Sequence, residues 1–194
     1  AKKYVERLVE EIDYSFRKLK EDGKEVDNIY IGGGTPTALS FTELERILLA
    51  LEPFKETVKE YTIEAGRLDS FTKENIDLLK QHATRICLNP QSLHEETLKQ
   101  IHRPYESNLE ELIKEFQDAG IKVNCDLIAG LPGETPEMFI SSLEKLLSFK
   151  PDEITIHNLS IKRGSELKFR TFKAEDVPRM LNKSRAMLKE EGYN

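Results

Sequence analysis

One pattern limits what this chain can fold into. A short apolar run, a turn rich in glycine, proline or polar residues, and an amphipathic segment of helical period follow one another along most of its length. Apolar residues first recur at Val5, Leu8, Val9, Ile12, Phe16 and Leu19, the spacing of a helix with one buried face, and Gly23 ends that segment. A strand is predicted over 26–31, feeding the turn Gly32-Gly33-Gly34-Thr35-Pro36-Thr37. Ser40 and Glu43 have capping-box spacing ahead of Leu44, Ile47, Leu48 and Leu51. Strands over 61–65 and 85–88 flank a helix capped by Thr72, with Ile76 and Leu79 on its apolar face. Ser107 and Glu110 repeat the capping-box spacing before Leu109, Leu112, Ile113 and Phe116, and Gly120 closes that helix. Next come a strand over 122–129, a helix opened by Thr135 and Pro136, a strand over 153–159 and a helix over 177–188.

A leading helix followed by strand–loop–helix units implies parallel strands joined by crossover helices. Two architectures satisfy that order, an open doubly wound sheet and a partial (β/α) barrel. Gly33, Glu64, Gln91, Asp126 and Asn158 all fall at or near the C-terminal ends of successive predicted strands. A barrel builds its sites on that rim, whereas an open sheet gathers them at one switch point. The expected fold is therefore α/β, a partial TIM-type barrel of parallel strands.

Composition narrows the partners. The net charge is −6 and the basic residues are scattered among acids, which argues against nucleic acid, because phosphate binding needs a concentrated basic face. No apolar run approaches the ~18 residues that cross a bilayer, and no secretory signal opens the chain, so the expectation is a cytoplasmic protein without a membrane partner. Cys87 and Cys125 are the two cysteines, far apart in predicted strands, and offer neither a disulfide framework nor metal-ligand spacing. They read as core residues. His82, His94, His102 and His157 share no metal-ligand spacing either, so no metal ligand is assigned, and no catalytic triad is legible. Helical period is running by Val5 without an initiator methionine, and the last residues follow a helix-ending Gly192. Residues 1–194 are accordingly expected to be a single fragment of one domain, truncated at both ends.

Several polar residues stand where folding alone does not ask for them. Three consecutive glycines let backbone approach a ligand closely, or else make a tight strand-to-helix turn; without a Gly-Lys-Ser/Thr ending they are not a phosphate loop. Glu64 sits at a strand end among apolar residues, so it must pair with a base such as Arg67 or bind something else. Asp126 interrupts an otherwise apolar strand, where propensity gives no reason for aspartate. Gln91 either satisfies loop backbone or faces a ligand. Arg103 is a surface arginine or a bidentate carboxylate clamp.

Five motifs in this order resemble the radical S-adenosylmethionine (SAM) superfamily and, within it, the oxygen-independent coproporphyrinogen III oxidase (coproporphyrinogen dehydrogenase-like) family. They are Ile29-Tyr30-Ile31-Gly32-Gly33-Gly34-Thr35-Pro36-Thr37, Thr62-Ile63-Glu64-Ala65-Gly66-Arg67, Asn89-Pro90-Gln91-Ser92, Ile101-His102-Arg103, and Asp126-Leu127-Ile128-Ala129-Gly130-Leu131-Pro132-Gly133. The match covers roughly 26–164, and the Glu-Ala-Gly-Arg form looks closest to the HemZ-type branch. The resemblance implies a radical SAM core whose first strand is missing here. It implies that Gly33, Gly34 and Thr35 meet the methionine end of SAM and that Arg103 pairs with its carboxylate. Glu64, Gln91 and Asp126 would complete the contacts to the amino acid and ribose, with Ile128 near the adenine. In such enzymes a [4Fe–4S] cluster reduces SAM, and the resulting radical starts the oxidative decarboxylation of porphyrinogen propionates to vinyls in haem biosynthesis. The implied partners are the porphyrinogen and an electron donor.

The sequence departs from that family at one decisive place. The C-x-x-x-C-x-x-C loop that holds the cluster does not occur, and Cys87 and Cys125 cannot replace three clustered thiolates. The loop is expected just before Ala1, so the cluster would belong to the parent protein only, and the chain by itself is expected to be inactive. Relatives on this scaffold also serve as haem-binding or haem-delivery proteins, which is the alternative reading. A bare remnant of the fold is the third, and the retained Gly33, Glu64, Arg103 and Asp126 speak against it.

Overall fold

The computed structural model describes residues 2–105, 107–161 and 174–193. The last residues of the motif span, 162–164, and the terminal positions 1 and 194 lie outside the described residues.

Five strands form one sheet: β1 (Asn28–Ile31), β2 (Glu60–Gly66), β3 (Arg85–Gln91), β4 (Lys122–Ala129) and β5 (Glu153–Asn158). Every neighbouring pair is parallel and the spatial order is β1-β2-β3-β4-β5. Strand order that never reverses has no switch point, which excludes the doubly wound alternative. Among the described residues β1 pairs with β2 alone and β5 with β4 alone, so both are edges. The helices are α1 (Lys2–Glu21), α2 (Phe41–Leu51), α3 (Lys73–His82), α4 (Glu95–Gln100), α5 (Leu109–Asp118), α6 (Pro136–Ser148) and α7 (Val177–Glu190).

Successive side chains on a strand point to opposite faces, and here the two faces differ in chemistry. On the outer face, Ile29, Tyr61, Ile63, Ala65, Ile86, Leu88, Val123, Cys125 and Leu127 form a continuous core with the helices. The helices supply Leu44 and Leu48 from α2, Leu78 and Leu79 from α3, Leu112, Ile113 and Phe116 from α5, and Phe139, Leu143 and Leu146 from α6. The inner face carries Tyr30, Thr62, Glu64, Cys87, Asn124, Asp126, Thr155 and His157, placed side by side by the strand registers.

Local rules set the helix starts. Ser40 donates from its backbone N–H and its hydroxyl to Glu43 Oε2, at 3.2 and 2.9 Å. Thr72 Oγ1 accepts from Asn75 N at 3.2 Å, and Thr135 Oγ1 accepts from Met138 N at 3.3 Å. The box predicted at Ser107 and Glu110 does not form. Asn108 takes the cap position with φ −94° and ψ 15°, already folded into the turn, and its side chain makes no capping bond. Extended backbone at that position is what aims a capping side chain at the first turn.

Two further differences concern the segment after β3. The strand continues to Gln91 instead of stopping at Leu88, because its pairing with β4 slips between Leu88 and Gln91. The short helix α4 was not foreseen; only Thr97 and Leu98 are buried on it, too few for a legible period.

Candidate functional site

Glycine geometry comes first. Gly33 has φ +106°, a conformation side chains rarely adopt, and its N–H points at Glu64 Oε2, 3.4 Å away. At Gly32 the constraint is space, since an added Cβ would lie 2.4 Å from a Tyr30 ring carbon and 2.8 Å from Glu64 Oε2. Gly34 faces open space. Thr35 packs beside Gly66, just past Glu64. The loop is then tied to β2 by Thr37, whose hydroxyl donates to the Ala65 carbonyl at 2.7 Å.

Glu64 does not pair with Arg67. That guanidinium is held bidentately by Asp69, at 2.9 and 2.7 Å, so the Glu64 carboxylate turns to Gly33 on one side and Asn89 on the other. Asn89 Nδ2 donates to Glu64 Oε1 at 3.4 Å, while the Asn89 carbonyl accepts from Arg103 Nη1 at 2.9 Å. A chain of contacts thus runs from Gly33 through Glu64 and Asn89 to Arg103. Arg103 lines a small pocket with Arg67, Asp69, Asn89, Ser92 and Tyr105. Burial, and then the like charge of Arg67, lower its pKa.

Asp126 lies on β4. Asn124 Nδ2 donates to its Oδ1 at 2.6 Å, His157 Nε2 is 3.5 Å from its Oδ2, and Asn124 Oδ1 in turn accepts from Thr155 at 2.8 Å. Burial raises the Asp126 pKa against the pull of Asn124 and His157. Glu64 and Asp126 lie on the same inner face of the sheet, and the Tyr30 phenol there has its pKa raised by partial burial first, then by Glu64, Cys87 and Asp126. Ile128 follows Asp126 on the same face, level with His157 on β5. Gln91, at φ 67°, is level with Leu127 on β4.

Of the residues singled out from the sequence, Gly33, Gly34 and Thr35 follow β1, Glu64, Gln91, Asp126 and Ile128 lie in the C-terminal halves of β2, β3 and β4, and Arg103, beyond α4, returns to β3 through the Asn89 carbonyl. Sequence reasoning passed over Asn89, Asn124, Tyr30 and Glu134. Asn89 reads as a turn residue before proline, and Glu134 as an acid flanking a helix. Yet Glu134 is only 7% exposed, accepts from Ser92 Oγ at 2.6 Å, and is pushed by burial up to about 7.

Several buried polar atoms in this region lack a partner among the described residues: Asn89 Oδ1, Gln91 Oε1, Thr97 Oγ1 and Glu134 Oε2. Buried polar groups are seldom left without one, and among these Asn89 is the residue that touches both Glu64 and Arg103.

The family model "Radical SAM superfamily" matches residues 1–146. The chain belongs to the radical SAM superfamily. It is 37% identical over 186 residues to the oxygen-independent coproporphyrinogen-III oxidase-like protein HemZ of Bacillus subtilis, covering 90% of this chain and 37% of that protein. It is 35% identical over 165 residues to the heme chaperone HemW of Lactococcus lactis, covering 82% of this chain and 41% of that one. The chain thus spans well under half the length of these relatives. The crystal structure of the Escherichia coli coproporphyrinogen III oxidase HemN, a radical SAM enzyme, superimposes with a TM-score of 0.82 at 23% identity, over all of this chain and 46% of that one. The fold is that of the radical SAM partial barrel.

The superfamily implies SAM and a [4Fe–4S] cluster, and the residues present fit the two unequally. The unpartnered acceptors beside Glu64 and Arg103 suit a polar, charged small molecule such as SAM. A cluster finds no ligand set. Cys87 is on the inner face and Cys125 in the outer core, both are free thiols with pKa values raised by burial, and no group of three or more metal-ligating side chains occurs among the described residues.

Proposed function

We propose that this chain is the SAM-binding part of a radical SAM oxidoreductase of the oxygen-independent coproporphyrinogen III oxidase type. The whole protein would act in the cytoplasm on a porphyrinogen, with an electron donor as its redox partner. Residues 1–194 would be one fragment of its partial-barrel domain, inactive alone. What supports this reading is the contact chain from Gly33 through Glu64 and Asn89 to Arg103, which puts a carboxylate, an amide and a guanidinium at one strand-end rim. Gly33, Gly34, Thr35 and Glu64 would receive the methionine end of SAM, Arg103 its carboxylate, Gln91 and Asp126 its polar groups, and Ile128 its adenine.

Calorimetric titration with SAM tests the site. Measurable affinity is expected for the chain as it stands, and Arg103→Ala should remove it, because a charge-assisted bidentate contact is among the strongest a side chain can make. SAM binding that survives this substitution, or no binding at all, overturns the assignment.

A second reading has its own support, the 35% identity to a heme chaperone. On that reading the whole protein holds or delivers haem on the same scaffold. Titration with hemin, followed by its absorbance, separates the two: a saturable stoichiometric complex favours the chaperone.

A further inference from the structure

We propose that Glu134 is a positioning residue for Gln91: acting through Ser92, it holds the end of β3 in a strained turn that fixes where the Gln91 side chain lies. The inference rests on the reading of Gln91 as a SAM contact, and it brings in residues of the neighbouring strand–helix unit that touch no ligand themselves.

Backbone strain is the starting observation. Gln91 has φ 67°, and the Ser92 N–H donates back to the Pro90 carbonyl at 2.8 Å. A bond between residues two apart, with positive φ at the residue between them, makes a γ-turn of the rare, strained kind. Glycine would enter that conformation freely and glutamine does not, so the surroundings must impose it. The pairing of β3 with β4 slips just here, between Leu88 and Gln91. Relaxing φ to a negative value would swing the Gln91 side chain away from its present place.

The residues that follow the turn show what imposes it. Ser92 is 1% exposed, and its hydroxyl donates to Glu134 Oε1 at 2.6 Å while accepting from His94 N at 3.2 Å. Leu93 N donates to Ser142 Oγ on α6 at 3.1 Å. Residues 92, 93 and 94 are thus each fastened, and the two anchors, Glu134 and Ser142, both belong to the segment after β4. Glu134 itself stands on a firm base. Its N–H donates to the Leu131 carbonyl at 3.1 Å, closing a four-residue turn with Pro132 and Gly133 at its centre, and Gly133 has φ 75°. Proline followed by a left-handed glycine is the pair that a type II turn takes at those positions. The Leu131-Pro132-Gly133 end of the fifth motif therefore aims a carboxyl at Ser92, and Ser92 locks the turn at Gln91.

Two measurements test this, one of the turn and one of its consequence. Amide hydrogen exchange followed by NMR reads the N–H of residue 92 without any ligand, and calorimetry reads SAM affinity. In Ser92→Ala and Glu134→Leu that N–H should exchange about tenfold faster or more, because the bond closing the turn opens locally. Both variants should also weaken SAM by about fivefold or more. Glu134→Gln keeps the acceptor for Ser92 and should restore most of what Glu134→Leu loses in each measurement. In a Gln91→Ala background Glu134→Leu should add no further loss of affinity, since two residues acting through one contact do not add. A loss of the same size in that background makes Glu134 merely structural and overturns the proposal. Unchanged exchange at residue 92, or SAM affinity untouched by Glu134→Leu, overturns it as well. If the wild-type chain binds no SAM, the SAM reading itself has failed and takes the proposal with it. Circular dichroism melting checks the fold of each variant, and Ser92→Ala carries the same comparisons should Glu134→Leu not fold.

Discussion

Replacing Glu134 by glutamine should make the protein more stable above neutral pH and leave it nearly unchanged in mild acid. Glu134 lies in the loop between β4 and α6, is 7% exposed, and accepts from Ser92 Oγ through Oε1, while Oε2 has no partner among the described residues. Ser92 also accepts from His94 N at 3.2 Å, and Leu93 N donates to Ser142 Oγ on α6 at 3.1 Å, so the loop after β3 is fastened to the loop and helix after β4. Burial raises the carboxyl pKa from 4.5 to about 7, more than the Ser92 bond lowers it. Between those two values the folded protein holds a proton that the unfolded chain has lost. Stability attributable to this group is complete below about pH 4.5, declines as pH rises through the window, and levels off above about pH 7. The loss is on the order of 3 kcal/mol, from about 1.4 kcal/mol per pKa unit.

Glutamine keeps the acceptor for Ser92 and carries no charge, so it imitates the protonated acid at every pH. Urea unfolding of both proteins from about pH 5 to about pH 9 reads the difference directly. The variant should exceed the wild type by less than about 1 kcal/mol near pH 5 and by about 3 kcal/mol near pH 8, the latter roughly 6–12 °C in Tm for a chain of this size. A stability gap that stays constant with pH, or a variant weaker than the wild type near pH 8, refutes the reasoning.

Two other outcomes follow from the site. Gly32→Ala should change stability by less than about 1 kcal/mol, since the atoms its Cβ meets are the mobile ends of Tyr30 and Glu64, yet should lower SAM affinity at least severalfold by displacing Glu64; unchanged affinity would remove Glu64 from the site. Anaerobic reconstitution of the chain with iron and sulfide should give no stoichiometric [4Fe–4S] absorbance, and a band that disappears on mutating Cys87 or Cys125 would contradict this.

What the sequence revealed, it revealed through period and through misplaced polarity. The apolar residues of α5 and α6 recur at helical spacing, and these helices bury them. Glu64 and Asp126 were visible because each breaks an apolar strand. Choices among partners were not visible. Glu64 and Arg67 lie three positions apart and look like a pair, but β2 ends between them and Arg67 swings to Asp69. Asn89 reads as a turn residue before proline but lies on β3, Glu134 sits in the loop after β4, and only packing between segments distant in sequence buries them. Glycine carried a similar ambiguity, since Gly33 is needed for its φ and Gly32 for the room beside Glu64.

The strands nevertheless contained a stronger signal than the isolated acids. Parallel strands covered on both faces read as nearly continuous apolar runs. Here β2 reads Tyr61-Thr62-Ile63-Glu64-Ala65 and β4 reads Val123-Asn124-Cys125-Asp126-Leu127, with apolar and polar residues in alternation. Alternation in a parallel sheet means that helices cover one face and that the other borders something polar. In a closed barrel the inward side chains would fill the centre with branched apolar residues. The inner face of this partial barrel instead pairs its polar groups with one another, as Asn124 does with Asp126 and Thr155, and leaves a few acceptors over near the rim. Ile128 is the exception, an apolar residue on that face at its C-terminal end, level with His157. An apolar position beside polar ones, at the C-terminal end of the face, is where a flat ring could lie while its hydrogen-bonding groups reach the neighbours. The adenine of the proposed ligand has that chemistry, and on the proposed reading Ile128 would offer it a seat.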